Sequence, residues 1–222
     1  MNSSLPLGKL EFGALLSYSP YGQTGQESLS RSYRTAVKND EFVISSSKQI
    51  PMSEFIAQSV EQRMKNLPFA HLFKSNPVLV PTPSSSLRKA DSLWVPQRIA
   101  LALRNRGLGS EVAECPVRVS PLPKAATSAA SNRPSAKQHY ESLAVQKLLN
   151  EPESILLVDD VVTRGATLLG GANRIAEVYP KARMAAFAAL RTVSNPRDFV
   201  RVYEPANGYI TLLPSGGTLR RP

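Results

Sequence analysis

The chain has 222 residues, 42% of them hydrophobic, and carries 27 Lys and Arg against 17 Asp and Glu, for a formal net charge of +10. That length and apolar content suit one α/β domain with a real core, leaving room for a small appended hood. A single cysteine, Cys115, excludes an internal disulfide framework and a cysteine-based zinc site, and no apolar run reaches the ~18 residues needed to cross a bilayer.

The opening run, Met1 to Pro6, has neither a basic start nor an apolar stretch, so no secretory signal is read there and a cytoplasmic location is expected. Residues 76–150 hold ten basic against four acidic side chains. This excess suits solubility, a polyanionic small molecule or nucleic acid. No long Lys/Arg run and no aromatic-interleaved basic stretch occurs, so nucleic-acid binding is possible but not indicated.

In chain order, residues 10–18 read as a strand and 19–32 as a loop rich in Gly, Ser and Gln. Arg31 to Val37 reads as a short helix and Phe42 to Ser45 as a short strand. Pro51-Met52-Ser53-Glu54 opens a helix running to about Asn66, with Phe55, Ile56, Val60 and Met64 inward. After the Asn76-Pro77 turn, Val78-Leu79-Val80 is a buried strand ending at Pro81-Thr82-Pro83. Thr82–Asp91 is a polar loop. Asp91 or Ser92 can cap a helix from about Leu93 to Arg106 that stops at Gly107, with Pro96 tolerated in its first turn.

Val112–Val119 reads as a strand, and residues 120–135, with three prolines, as a long irregular segment. A helix is expected over Ser135 to Leu149, and a strand over Met184–Leu190. The tail from about Leu213 is expected to fray. Strands alternating with helices imply a parallel twisted sheet with helices on both faces, in a single domain spanning the whole chain.

The most informative segment is Ile155–Thr167, Ile-Leu-Leu-Val-Asp-Asp-Val-Val-Thr-Arg-Gly-Ala-Thr. Ile155 to Val158 make a buried strand, with Asp159 and Asp160 at its end. The turn Thr163-Arg164-Gly165-Ala166-Thr167 leads into a helix with Leu168, Leu169, Ala172, Ile175, Ala176 and Tyr179 on one side. Ligands of open α/β sheets bind beyond the carboxyl ends of strands. A helix N-terminus offers unpaired N–H groups and partial positive charge to a phosphate. Gly165 allows close backbone approach, and Thr163 and Thr167 add hydroxyl donors. Two carboxylates suit neighbouring sugar hydroxyls, or Mg²⁺ held directly or through water. No Gly-x-x-x-x-Gly-Lys-Ser/Thr nucleotide loop is present.

This run resembles the phosphoribosyl-pyrophosphate (PRPP) signature of type I phosphoribosyltransferases. The resemblance implies a type I phosphoribosyltransferase-like fold, in which Asp159 and Asp160 bind the ribose hydroxyls. The turn, Val162, Thr163, Arg164, Gly165, Ala166 and Thr167, would bind the 5′-phosphate. Arg164 stands where many relatives have Thr; it adds a cation beside the phosphate or points to solvent. The order from about Val78 to Thr192 is similar to the competence-protein ComF-like, amidophosphoribosyltransferase-related branch. It runs Val-Pro-Thr-Pro, a helix ending near Arg106-Gly107, a loop with Asn132-Arg133, and Leu-Leu-Val-Asp-Asp-Val-Val-Thr. Many of these relatives carry an N-terminal four-cysteine zinc ribbon, and this chain, with one cysteine, does not.

PRPP also needs a pyrophosphate site. The loop after Val78–Val80 offers Ser84, Ser85 and Ser86 with Arg88 and Lys89; arginine can clamp a phosphate through two parallel hydrogen bonds. The same loop also reads as a solvated basic turn. The resemblance places a flexible catalytic loop at 120–140, where Lys124, Arg133 and Lys137 could close over the pyrophosphate. His139 and Tyr140 could act there too, although a lone His at a helix start also reads as structural.

The implied reaction displaces pyrophosphate from PRPP-Mg²⁺ by a nitrogen nucleophile, with Lys124, Arg133, Asp159 and Asp160 as catalytic candidates and the two acids as Mg²⁺ ligands. The alternative is a non-catalytic PRPP sensor or a protein linked to competence and DNA uptake. A hood for acceptor specificity is expected from residues 10–45 and 195–212, and a homodimer is compatible with the resemblance.

Overall fold

The computed structural model describes residues 5–87, 92–123 and 133–222. The chain builds an α/β architecture around one six-stranded sheet. Four parallel strands run from its middle to one edge: β1 (Lys9–Tyr18), β8 (Arg183–Thr192), β7 (Ser154–Val162) and β4 (Val78–Pro81). Beyond β1 the sheet continues antiparallel, through β9 (Ala206–Leu212) to β10 (Thr218–Arg221), in the order β10-β9-β1-β8-β7-β4. The sheet is therefore mixed rather than all-parallel. The tail expected to fray is a paired hairpin strand.

Through the middle of the sheet, side chains alternate between its two faces, as strand geometry requires. Leu79, Leu156, Val158, Phe187 and Ala189 face one core with α2 (Met52–Arg63) and α4 (Val95–Asn105). Val78, Val80, Ile155, Leu157, Ala186 and Ala188 face the other with α6 (Ala166–Val178). Ile155 to Val158 are fully buried, which accounts for their unbroken apolar run. On the α2/α4 side, Phe187 stacks at tilted angles with Phe69 and Phe73, each centroid 5.6 Å away.

α1 (Gly25–Asn39) begins well before the short helix expected from the sequence. Its start is fixed by a capping box in which the Glu27 N–H donates to Thr24 Oγ1 and the Thr24 N–H donates to the Glu27 carboxylate at 2.8 Å. The helix ends on Asp40, whose backbone is left-handed. The buried Asp40 carboxylate accepts from the Ser53 N–H at 2.7 Å and from Arg98 at 3.0 Å. One side chain thus locks the end of α1 to the starts of α2 and α4.

Residues 10–45 and 195–212 do not form a separate hood. They supply β1 and β9 to the main sheet, α1 to its flank, and the first strand of the small hairpin of β2 (Phe42–Ser45) and β3 (Lys48–Pro51). Three further expectations change. The strand at 112–119 is reduced to a bridge from Val112 to Leu79 and β5 (Pro116–Arg118). The helix at 135–149 stops after α5 (Ala136–Glu141), because the chain turns into β6 (Leu143–Val145) to pair with β5. Trp94, not Ser92, stands at the start of α4, with no side-chain cap; Asp91 lies outside the described residues. No helix among the described residues is long and apolar enough to cross a membrane.

Candidate functional site

From β4 the chain travels outward, through α4 on one face, to Val112, which bridges to Leu79 on the outer edge of β4. From β7 it travels inward to β8, through α6 on the opposite face. The two directions part between β4 and β7. A crevice opens at such a point in an α/β sheet, and ligands bind there. In this chain it is a cleft of about 630 Å³. Its lining includes Thr82, Ser84, Ser85, Asp159, Asp160 and the whole turn from Val162 to Thr167.

The acids lie within β7 rather than past its end. β4 pairs with β7 only as far as Pro81 opposite Val158, while β8 continues to Val162. Asp159 and Asp160 are therefore held on one side and open on the other. Alternation sends them to different faces. Asp159 Oδ1 accepts from Thr82 Oγ1 and from the Asp160 N–H, both at 2.9 Å. Asp160 Oδ2 accepts from Lys38 Nζ at 2.7 Å, and its Oδ1 accepts from the Val161 N–H at 2.6 Å. Burial, and then the charge of Asp160, push the Asp159 carboxyl up to about 7, against the opposing pull of Lys38, Thr82 and the Asp160 N–H.

The turn after β7 is built for close approach. Gly165 has φ +82°, and an added Cβ would lie 2.5 Å from Ile210 Cδ1, so both conformation and space demand glycine. α6 starts on Gly165 with no side-chain cap, which leaves its first-turn N–H groups facing the cleft mouth. Thr163 and Arg164 are exposed and Val162 is buried beneath them. Thr163 Oγ1 lies 3.1 Å from Thr192 Oγ1.

Across the cleft, Ser84 donates to the Ser86 carbonyl at 2.7 Å and the Ser85 carbonyl accepts from the Leu122 N–H at 2.8 Å. Trp94 Nε1 donates to the Thr82 carbonyl at 2.8 Å, fixing the loop as it leaves β4. Arg133 lines the cleft. Arg88, Lys89 and Lys124 lie outside the described residues. Lys137 turns instead to Glu141, and Tyr140 donates to Glu177 on α6; neither lines the cleft.

His139 does line it, as part of a buried polar chain. Arg118 donates to the Ser84 carbonyl and to Ser142 Oγ, and lies 3.5 Å from His139 Nδ1; His139 Nε2 lies 3.4 Å from Thr167 Oγ1. Burial and then the charge of Arg118 push His139 down to about 4, so the ring is neutral at pH 7. Burial lowers Arg118 itself to about 10. A neutral ring beside an arginine accepts at Nδ1 and donates from Nε2. Thr167 Oγ1 is then the acceptor from His139, and its own proton is available to a ligand.

Sequence reasoning missed Lys38, Trp94 and Arg118. The Thr24-x-x-Glu27 pair was a readable start signal for α1, and a longer α1 would have carried Lys38 toward the acids. No local pattern points to Trp94 or Arg118. Among the described residues, no group of three or more His, Cys, Asp and Glu side chains converges as a metal cage. Compared with protein-family models and with curated proteins, the chain matches none.

Proposed function

We propose that this protein binds PRPP with Mg²⁺ in the cleft between β4 and β7 and transfers its phosphoribosyl group to a nitrogen nucleophile, as a type I phosphoribosyltransferase-like enzyme. The observation that carries the reading is one juxtaposition. Two adjacent aspartates, a glycine-opened turn at a helix start and the Ser84–Ser85 loop line a single cleft.

The turn from Val162 to Thr167 takes the 5′-phosphate through backbone N–H groups and the Thr163 and Thr167 hydroxyls. Asp159 and Asp160 accept hydrogen bonds from the ribose hydroxyls. Ser84 and Ser85, with Arg88, Lys89, Lys124 and Arg133, take the pyrophosphate. The bond from the anomeric carbon to pyrophosphate oxygen breaks, and pyrophosphate leaves with the electron pair. A bond to the acceptor nitrogen forms, and the nitrogen's proton passes to solvent. Catalysis comes from positioning and from charge stabilisation of the departing pyrophosphate.

The donor set fits Mg²⁺, a hard cation that takes carboxylate, phosphate and water oxygens. Asp159 Oδ2 accepts from no described side chain, and Asp159 and Asp160 together would hold the ion beside the ligand's phosphates. When bound, Mg²⁺ neutralises charge on the leaving group.

A second reading, a PRPP sensor with little turnover, is favoured by one feature: Lys38 already occupies Asp160 where a ribose hydroxyl would sit. Pyrophosphate release from PRPP-Mg²⁺ against a panel of nucleobases, amines and ammonia separates the two. Release with one acceptor supports transfer. Saturable PRPP binding with no release under any acceptor supports the sensor.

A further inference from the structure

We infer that Arg220, on the terminal hairpin, is a positioning residue for phosphate binding, acting through the turn that follows β7; the inference rests on the proposed phosphoribosyl reading.

Arg220 Nε donates to the Thr163 carbonyl at 2.7 Å, and Nη2 donates to the Thr192 carbonyl. One guanidinium therefore ties the ends of two neighbouring strands, β7 and β8, at the floor of the cleft. Its Cζ sits 5.5 Å from the centre of the Phe12 ring, which holds the plane of the group. Burial, and then Arg191, lower its pKa to about 10, so it stays charged at neutral pH.

The consequence for the turn follows from peptide geometry. In a trans peptide, C=O and N–H point in opposite directions. The Thr163–Arg164 bond is trans. With the Thr163 oxygen drawn inward to Arg220, the Arg164 N–H is turned outward. No described backbone or side-chain group accepts that N–H. The equivalent N–H of the second peptide, on Val193, is already used by the Tyr18 carbonyl at 2.7 Å. Arg220 thus presents one specific amide to the cleft, next in line before the unpaired N–H groups at the start of α6. It also removes a carbonyl oxygen that would repel an anion and places a positive charge behind the turn.

The hairpin carries a second support. Arg220 is the cross-strand partner of Ile210, and Ile210 packs directly beneath Gly165. Residues on paired positions share a face of the sheet. The pair holds the turn at two points, a carbonyl and a glycine. Gly208, where a Cβ would meet the Arg221 carbonyl oxygen, lets the end of β10 lie close against β9.

The test is a pair of titrations on the full chain and on Arg220→Gln and Arg220→Lys. One ligand is ribose 5-phosphate, which needs the turn. The other is inorganic pyrophosphate, read at the Ser84–Ser85 side. The inference expects Arg220→Gln to weaken ribose 5-phosphate at least tenfold while pyrophosphate affinity stays within twofold. Arg220→Lys, which keeps the charge but loses the fork, should fall between. Thermal melts of all three proteins report folding. Unchanged ribose 5-phosphate affinity in Arg220→Gln, or an equal loss for both ligands, overturns the assignment. If the unmodified protein binds neither ligand, the phosphoribosyl reading itself falls, and the assignment with it.

Discussion

Lys38 Nζ lies 2.7 Å from Asp160 Oδ2, across 122 positions of sequence. The lysine sits in the last turn of α1, where the helix dipole favours a cation, and Asp40, two residues on, pins that helix end to α2 and α4. The cation is therefore delivered by rigid elements to an acid pair that would otherwise hold two like charges side by side. A ribose that binds through Asp160 has to share or displace this contact.

Replacing that cation has a measurable consequence for the neighbouring acid. Lys38 lowers the Asp159 titration, so Lys38→Met is expected to move it further up from about 7. Carboxyl-carbon NMR across a pH series reads this directly. With the Lys38 side chain 39% exposed, the ion pair itself contributes about 0–1 kcal/mol, the range of solvent-screened pairs. An Asp159 titration that does not move in Lys38→Met would contradict the assigned contact.

Gly165→Ala tests the turn. The positive φ and the approach of Ile210 act together, and the substitution is expected to cost about 1–3 kcal/mol of stability and more than tenfold in ribose 5-phosphate affinity. Adding Ile210→Ala removes the clash but not the backbone strain. The double variant should recover little of the affinity, and its stability should fall by less than the sum of the two single losses, Ile210 being fully buried and its truncation alone costing about 2–5 kcal/mol. Full recovery of the affinity would mean that the turn has no conformational role.

Two buried groups give opposite pH dependences of stability. Native Asp159 keeps its proton up to about 7, whereas an unfolded aspartate loses it near 3.9. The native state then binds more protons between about pH 4 and pH 7, so this contribution to stability falls as pH rises through that window. Native His139 stays neutral down to about 4, against about 6.5 when unfolded, so its contribution rises with pH between those values. Asp159→Asn should gain on the unmodified protein as pH rises from 4 to 7. His139→Gln should close its deficit as pH falls from 6.5 to 4. Urea denaturation at pH 4.5, 6 and 8 resolves the two, and profiles parallel to the unmodified protein would refute both assignments.

The parts of the site that were legible in the sequence are those made by consecutive residues. Ile155–Thr167 is local: a buried strand, two acids, a turn and a helix start are adjacent in the chain, so composition and spacing reveal them. Val78–Pro81 and the polar loop after it are readable for the same reason. The unreadable parts reach the cleft from far away. Lys38 arrives on a helix whose first half looked like loop, because Gly, Ser and Gln outweighed a two-residue capping signal. Arg118 sits on a strand of only three residues, too short for any period to register. Arg220 belongs to a segment of Gly, Ser and Pro that is ordered by pairing with β9, a tertiary contact that local propensity does not encode. Asp159 and Asp160 lie inside β7 because β8 goes on pairing after β4 has stopped, which depends on the partners' lengths rather than on β7 itself.

The most direct test of the central claim is calorimetric titration of PRPP with Mg²⁺ into the unmodified protein and into the Asp159→Asn/Asp160→Asn double variant, both checked for folding by circular dichroism. Saturable binding is expected to the first and at least a hundredfold weaker binding to the second. Absence of binding to the unmodified protein, or equal affinity in the two, would contradict it.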